Sequence, residues 1–218
     1  MSVVIPTLNE QESIGKVLSA IPNQLVDEVL VVDGSSDMTA RIAEGFGARI
    51  VREPRRGYGR ALQTAIENAT GDIVVYMDGD FTYDPSDIIK LIGPVQDGNL
   101  DGVLGNRFMR DEDRRSMPFL NRLGNRILSS VFRRIFGTEI NDTQCGMRAF
   151  TRQVLLKHRY SSLGMAYVTE QLAKLVKSGC RLGEVPIGYR SRVGQSKLHR
   201  FRDGFTILWT MFRERLQS

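Results

Sequence analysis

Ile73-Val74-Val75-Tyr76-Met77-Asp78-Gly79-Asp80 is a run of β-formers that ends abruptly in two aspartates separated by one glycine. In an α/β sheet the loops at the carboxyl ends of strands open into the ligand crevice. Two carboxylates at that edge can share one hard divalent cation, Mg²⁺ or Mn²⁺. Such an ion keeps several waters and takes its remaining ligands from substrate phosphates. Asp and Gly are also ordinary turn formers, so the flanking sequence has to decide between the two readings.

Working outward, the first half of the chain alternates strand and helix. Ser2 to Ile5 is short and apolar, with Pro6 expected to break it. Asn9 followed by Glu12 resembles a capping box that opens a helix to about Ala20. Glu28 to Val32 reads as a buried parallel strand, and Ser36 or Asp37 as the cap of a helix to about Phe46. Ala48 to Arg52 is the third strand, Gly57 to Ala69 a helix, and Asp72 to Met77 the fourth strand. Asp84-Pro85 marks a helix start, with the cap residue followed by proline at the first helical position. That helix runs to about Val95, and Gly102 to Gly105 is a further strand. This order predicts a mostly parallel, doubly wound sheet flanked by helices.

After Arg107 the chain becomes arginine-rich. Phe119, Leu120, Leu123, Ile127, Leu128, Val131, Phe132 and Ile135 recur at helical spacing. A final αβ section spans Cys145 to Ile187. The tail from Phe201 predicts a C-terminal amphipathic helix, with Phe205, Leu208, Trp209 and Phe212 on one face. Residues 1–198 are read as one domain and 199–218 as this helix. With 218 residues, 41% of them hydrophobic, the chain can bury a core. No stretch approaches the roughly 18 apolar residues of a membrane span, and a strand starting at Ser2 leaves no room for a signal peptide. Cys145 and Cys180 form no disulfide framework or metal-ligand spacing, which suits a reducing cytoplasm. A net charge of +5 and a pI near 9.4 favour anionic partners. Nucleic acid is set aside, because the aromatics are not interleaved with Lys and Arg as in a stacking platform.

Four segments fall at strand ends: Val3-Val4-Ile5-Pro6-Thr7-Leu8-Asn9-Glu10, Val31-Val32-Asp33-Gly34-Ser35-Ser36-Asp37, Arg56-Gly57-Tyr58-Gly59-Arg60-Ala61 and Met77-Asp78-Gly79-Asp80. Strand ends of one parallel sheet converge on one crevice, so together they build a nucleotide-diphosphate site. Gly57-x-Gly59 alone is no dinucleotide fingerprint, since the third glycine and a ribose-binding partner are missing. With "LGNRF", "DTQCGMRAF" and the late "YRSRVGQSKL", residues 1 to 198 resemble the family 2 glycosyltransferases of GT-A (Rossmann-like) fold. The resemblance is greatest to the dolichyl- and polyprenyl-phosphate mannosyl- and glucosyltransferases.

The resemblance implies an inverting, metal-dependent transfer of a hexose from a GDP- or UDP-sugar to a polyprenyl (dolichyl) phosphate. It places Pro6, Glu10 and Asp33 in the nucleoside pocket, with Leu8, Gly57 and Gly79 completing the nucleotide-sugar site. Asp78 and Asp80 become the metal and diphosphate pair. Arg107 falls near the sugar diphosphate, and Arg192, Ser196 and Lys197 belong to a basic loop that closes over the donor, with Arg190 a further candidate. Asp78, Asp80, Arg107, Arg192 and Lys197 are then the catalytic set. Relatives often have a Gln that also serves the metal where this chain has Thr82, a weaker ligand. Asp142, Gln144 and Arg148 either shape the acceptor side or form a structural corner. Glu170 stands where hydroxyl-using relatives carry a catalytic acid, and is either a base or a residue of the helix surface or acceptor side. A base role for it would favour a soluble enzyme acting on a sugar or small-molecule hydroxyl. The amphipathic segments imply peripheral attachment to the cytoplasmic face of a membrane, although an apolar helical stripe is also what core packing produces.

Overall fold

The computed structural model describes residues 1–110, 116–193 and 200–217. Its strands are β1 (Ser2–Thr7), β2 (Glu28–Asp33), β3 (Arg49–Arg52), β4 (Ile73–Tyr76), β5 (Gly102–Asn106), β6 (Arg148–Thr151) and β7 (Leu182–Pro186). They form one sheet in the order β3-β2-β1-β4-β6-β5-β7. Only β6 runs antiparallel to its neighbours, β4 and β5; the other pairs are parallel. The carboxyl ends of β1, β2 and β4 therefore share one edge, as expected for a GT-A sheet.

Strand alternation divides the core in two. On one face Val3, Ile5, Val31 and Val75 meet α1 (Ile14–Ser19), α2 (Thr39–Gly45) and α4 (Ile88–Gln96). On the other, Val4, Leu30, Val74 and Tyr76 meet α3 (Tyr58–Asn68), α6 (Arg152–Leu156) and α7 (Tyr167–Lys177). The same face receives α5 (Phe119–Phe136) through Phe132, and α8 (Arg200–Leu216) through Ile207 and Met211.

Three local expectations change. Pro6 does not end β1, which continues to Thr7 in register with Asp33. Beyond Val4 the strand has already outrun its β4 pairing, so proline stands where one flank is free of ladder bonds. Asn9 is not a helix cap. It adopts a left-handed backbone (φ 53°), and its side chain accepts from the Ser36 amide at 3.0 Å; α1 starts five residues later, at Ile14. The apolar stripe of α5 also splits. Phe132 is buried and Leu128, Val131 and Ile135 pack on the core, whereas Phe119, Leu120, Leu123 and Ile127 are exposed.

Glu28 fastens the amino end of this sheet. Its carboxylate accepts from Ser2 Oγ (2.5 Å), from the Thr70 amide (3.0 Å) and from Arg49 Nε (2.9 Å), joining β1, β2, β3 and the approach to β4. Burial alone would raise its pKa, but these hydrogen bonds outweigh that and hold it at about 2. A depressed carboxylate contributes stability that is complete above its unfolded pKa and is lost as pH falls through the folded one. Glu28→Gln is accordingly expected to cost about 1–2 kcal/mol at pH 7. The difference from wild type should shrink between pH 4.5 and 2, as read by urea unfolding across that range.

Candidate active site

The loops after β1, β2, β3 and β4 surround a cavity of about 660 Å³. Pro6, Leu8, Glu10 and Gly57 line it, and so do Asp78, Gly79, Asp80 and Arg107. Gln144 and Arg192 line it as well. Asp33 stands behind this wall, 1% exposed. Its Oδ1 accepts from Thr7 Oγ1 (2.8 Å) and Ser35 Oγ (2.5 Å), and its Oδ2 pairs with Arg52. A base reaches that carboxylate only if one of these partners moves.

Asp78 and Asp80 follow β4 on a turn that passes through Phe81 at φ 61°. Asn9 and Phe81 are the non-glycine residues with positive φ among the described residues, and both lie in loops of this site. Such backbone costs of order 1–3 kcal/mol and is retained where the surroundings fix it. Gly79 sits in close approach: a Cβ there would lie 3.0 Å from Thr7 Cγ2, so that methyl would have to give way. Burial, then the charge of Asp80, push the Asp78 carboxyl up to about 7. Two carboxylates on one cavity wall, with the charge of Asp80 raising the pKa of Asp78, are the donor set a hard divalent cation relieves, so the residues present fit such an ion. Thr82 is not arranged as a third ligand. Its hydroxyl donates to Asp80 Oδ1 at 2.7 Å and its amide donates to the same oxygen at 3.0 Å. Among the described residues no group of three His, Cys, Asp or Glu could hold a metal, which leaves the remaining positions to donor phosphates and water.

Arg192 spans the site, with Nη2 2.7 Å from Glu10 Oε1 and Nη1 2.9 Å from Asp80 Oδ2. Its loop is docked on the β4 loop by two backbone bonds, Arg190 N to Thr82 O (2.7 Å) and Val193 N to Asp80 O (3.2 Å). Arg190 itself is not in the cavity wall; it pairs with Asp84 and stacks over Phe81. Ser196 and Lys197 lie outside the described residues.

The acceptor-side candidates separate into different roles. Asp142 is fully buried and binds Arg107 bidentately, Nε to Oδ2 at 2.7 Å and Nη2 to Oδ1 at 2.8 Å. Burial opposes the Arg107 charge, but Asp142 outweighs it and keeps the guanidinium firmly protonated. Asp142 thus aims a cavity residue rather than meeting a ligand. Arg148 is also fully buried and donates to the carbonyls of Cys145 (2.6 Å), Thr143 (2.6 Å) and Val168 (2.9 Å), which makes it the structural corner. Gln144 alone of the three lines the cavity.

Glu170 is fully buried and is not part of the cavity wall. It accepts from the amides of Ser161 (2.8 Å) and Ser162 (2.6 Å) and from Lys174 Nζ (2.7 Å). Burial raises its pKa, yet these bonds prevail and hold it at about 2. A carboxylate so engaged is a poor base. The sequence reading also missed Tyr58, whose hydroxyl donates to Asp78 Oδ1 at 2.9 Å. It missed Glu53 too, held by Arg55 and Thr64 in the cavity wall. Tyr58 sits between Gly57 and Gly59, and that crowded turn was the available signal.

Glu170→Gln is expected to leave turnover within about threefold of wild type while lowering the unfolding midpoint, because the role is structural. Asp142→Ala strands a buried guanidinium and should cost about 3–5 kcal/mol in denaturant unfolding.

Comparison with known proteins agrees with this geometry. Residues 2–159 match the model of glycosyl transferase family 2. A dolichyl-phosphate hexose transferase of Haloferax volcanii is 36% identical over 211 residues, covering 95% of this chain and 90% of that protein. The glycosyltransferase AglJ of the same organism is 36% identical over 215 residues, covering 97% and 70%. Glucosyl-3-phosphoglycerate synthase of Mycobacterium tuberculosis, solved with Mn²⁺, uridine diphosphate and glucosyl-3-phosphoglycerate, aligns with a TM-score of 0.81 at 26% identity. That alignment covers 98% of this chain and 78% of the other. The chain belongs to glycosyl transferase family 2 and is a glycosyltransferase.

Proposed function

We propose that this enzyme transfers a hexose, with inversion, from a GDP- or UDP-sugar to a polyprenyl (dolichyl-type) phosphate at a membrane surface, using Mg²⁺ or Mn²⁺. One observation carries the reading. The cavity that contains Asp78, Asp80 and Arg192 is also lined by Pro118 and Asn121 at the start of α5 and by Asp203 at the start of α8. From those points two packed helices carry apolar residues outward: Phe119, Leu120, Leu123 and Ile127 on α5, and Phe205, Trp209 and Phe212 on α8. Exposed Arg126, Arg134, Arg202 and Arg215 accompany them. Apolar faces with basic flanks suit an anionic lipid interface. No helix among the described residues is long and apolar enough to cross a membrane.

Asp78 and Asp80 would hold the cation, which when bound neutralises charge on the departing diphosphate. Arg192 would exchange Asp80 and Glu10 for the donor phosphates, adding to that stabilisation. Arg107, aimed by Asp142, would supply a second fixed positive charge. The acceptor oxygen attacks the anomeric carbon as the bond from that carbon to the β-phosphate oxygen breaks, and nucleoside diphosphate leaves from the opposite face. A phosphomonoester, with a second pKa of about 6, is already anionic near neutrality. It therefore needs no side chain to take its proton, which accords with the engaged state of Glu170.

The test is release of nucleoside diphosphate with Mn²⁺ from a panel of GDP- and UDP-sugars, with and without a short polyprenyl phosphate. Release that requires the lipid phosphate and falls about 100-fold or more in Asp80→Ala is the expected result. Release with a hydroxyl acceptor but not with lipid phosphate would overturn it. In parallel, Phe205→Ser combined with Trp209→Ser is expected to weaken binding to anionic vesicles by about tenfold or more. Unchanged co-sedimentation would remove the membrane from the proposal.

A further inference from the structure

The glycine-rich turn Arg56-Gly57-Tyr58-Gly59-Arg60 lines the cavity through Arg56, Gly57 and Tyr58. Its geometry is tightly specified. Gly57 has φ 143°, and a Cβ there would fall 2.3 Å from the Leu163 carbonyl oxygen. A Cβ on Gly59 would fall 2.5 Å from Tyr167 Cβ and 2.7 Å from the Ser162 oxygen. The Arg60 amide donates to the same Leu163 carbonyl at 3.1 Å. Neither glycine accepts a side chain, so the start of α3 is pressed against residues 162–164. The residue between the glycines is thereby fixed in place, and its hydroxyl reaches Asp78 Oδ1 at 2.9 Å.

Asp80 is held in a parallel way, by the Thr82 hydroxyl on its Oδ1 at 2.7 Å. Each aspartate thus has its Oδ1 committed to a protein hydroxyl, while the Oδ2 of Asp80 pairs with Arg192 Nη1 at 2.9 Å. Asp78 is further confined by Gly146, where a Cβ would lie 2.8 Å from Oδ2. Partners of this kind orient metal-ligating carboxylates, and losing one typically costs about 10–100-fold in metal affinity.

We infer that Tyr58 is a positioning residue for the cation site, and that the glycine turn exists to mount its phenol against Asp78. The inference rests on the metal reading of Asp78 and Asp80. It concerns the site's affinity for the ion rather than the identity of donor or acceptor.

The experiment measures the Mn²⁺ concentration that gives half-maximal binding of radiolabelled UDP, and separately of GDP, by equilibrium dialysis with the full chain. A control in EDTA gives the metal-free nucleotide affinity. Tyr58→Phe is expected to raise the Mn²⁺ midpoint about tenfold and to leave nucleotide binding in EDTA within twofold. Replacing Tyr58 by 4-aminophenylalanine returns an N–H donor at similar reach, and should restore the midpoint to within about threefold of wild type. A midpoint within threefold of wild type in Tyr58→Phe would overturn the inference. So would an equal loss in EDTA, or no recovery with 4-aminophenylalanine, since either assigns the effect to packing. Nucleotide binding by wild type that ignores Mn²⁺ would sink the metal reading itself, an outcome visible before any variant is made.

Discussion

The repulsion between Asp78 and Asp80 is the constraint around which the rest of this molecule is arranged. Two carboxylates at the end of one buried strand are unfavourable together: burial first, and then the charge of Asp80, raise the Asp78 pKa. The surroundings answer with directed donors: the Tyr58 phenol on Asp78, the Thr82 hydroxyl and amide on Asp80, and the Arg192 guanidinium across Asp80 and Glu10. Each donor comes from a different part of the chain. Tyr58 opens α3, Thr82 follows the strand itself, and Arg192 arrives more than a hundred residues later. The site is consequently a product of the whole sheet rather than of a local motif.

A second layer of the same logic lies under the cavity. β6 is inserted antiparallel between β4 and β5; the segment leading into it carries Asp142 and Gln144, and Arg148 is its first residue. Asp142 spends its carboxylate on Arg107, and Arg148 spends its guanidinium on three carbonyls of the corner. Burying such charges is costly unless every hydrogen-bonding position is matched. Here the matching fixes a single orientation for Arg107 and a rigid backbone beside Asp78. One conspicuous motif thus contains two residues of the cavity wall, Gln144 and Gly146, and two that hold the wall in shape, Asp142 and Arg148.

The two amphipathic helices divide their work along their length and around their circumference. The carboxyl-terminal half of α5 belongs to the core through Phe132, while its first turns leave Phe119, Leu120 and Leu123 outside. On α8 the core takes Ile207 and Met211, and the larger Phe205, Trp209 and Phe212 face outward. An outward aromatic face is unusual when nothing is to cover it. Its origin at the mouth of the cavity that holds Asp78 and Asp80 ties packing to the proposed encounter with a lipid-borne acceptor.

The sequence by itself determined the α/β order, the strand ends that line the cavity, and the place of the Asp78-Gly79-Asp80 pair at one of them. These are legible because strand periodicity and turn composition are local, and parallel strands bring their carboxyl ends to one edge wherever they pair. Local rules misplaced the helix start near Asn9, because that side chain bonds the loop after β2 instead of capping its own helix. The partners of the charged groups were decided only by tertiary structure. Lys174 is an i,i+4 neighbour of Glu170 that helical spacing announces, but nothing announces that the Ser161 and Ser162 amides also consume it. Nothing near Tyr58 announces Asp78, twenty residues on. A carboxylate's role depends on which donors surround it and how much water is excluded, and both are fixed only when distant segments close around it.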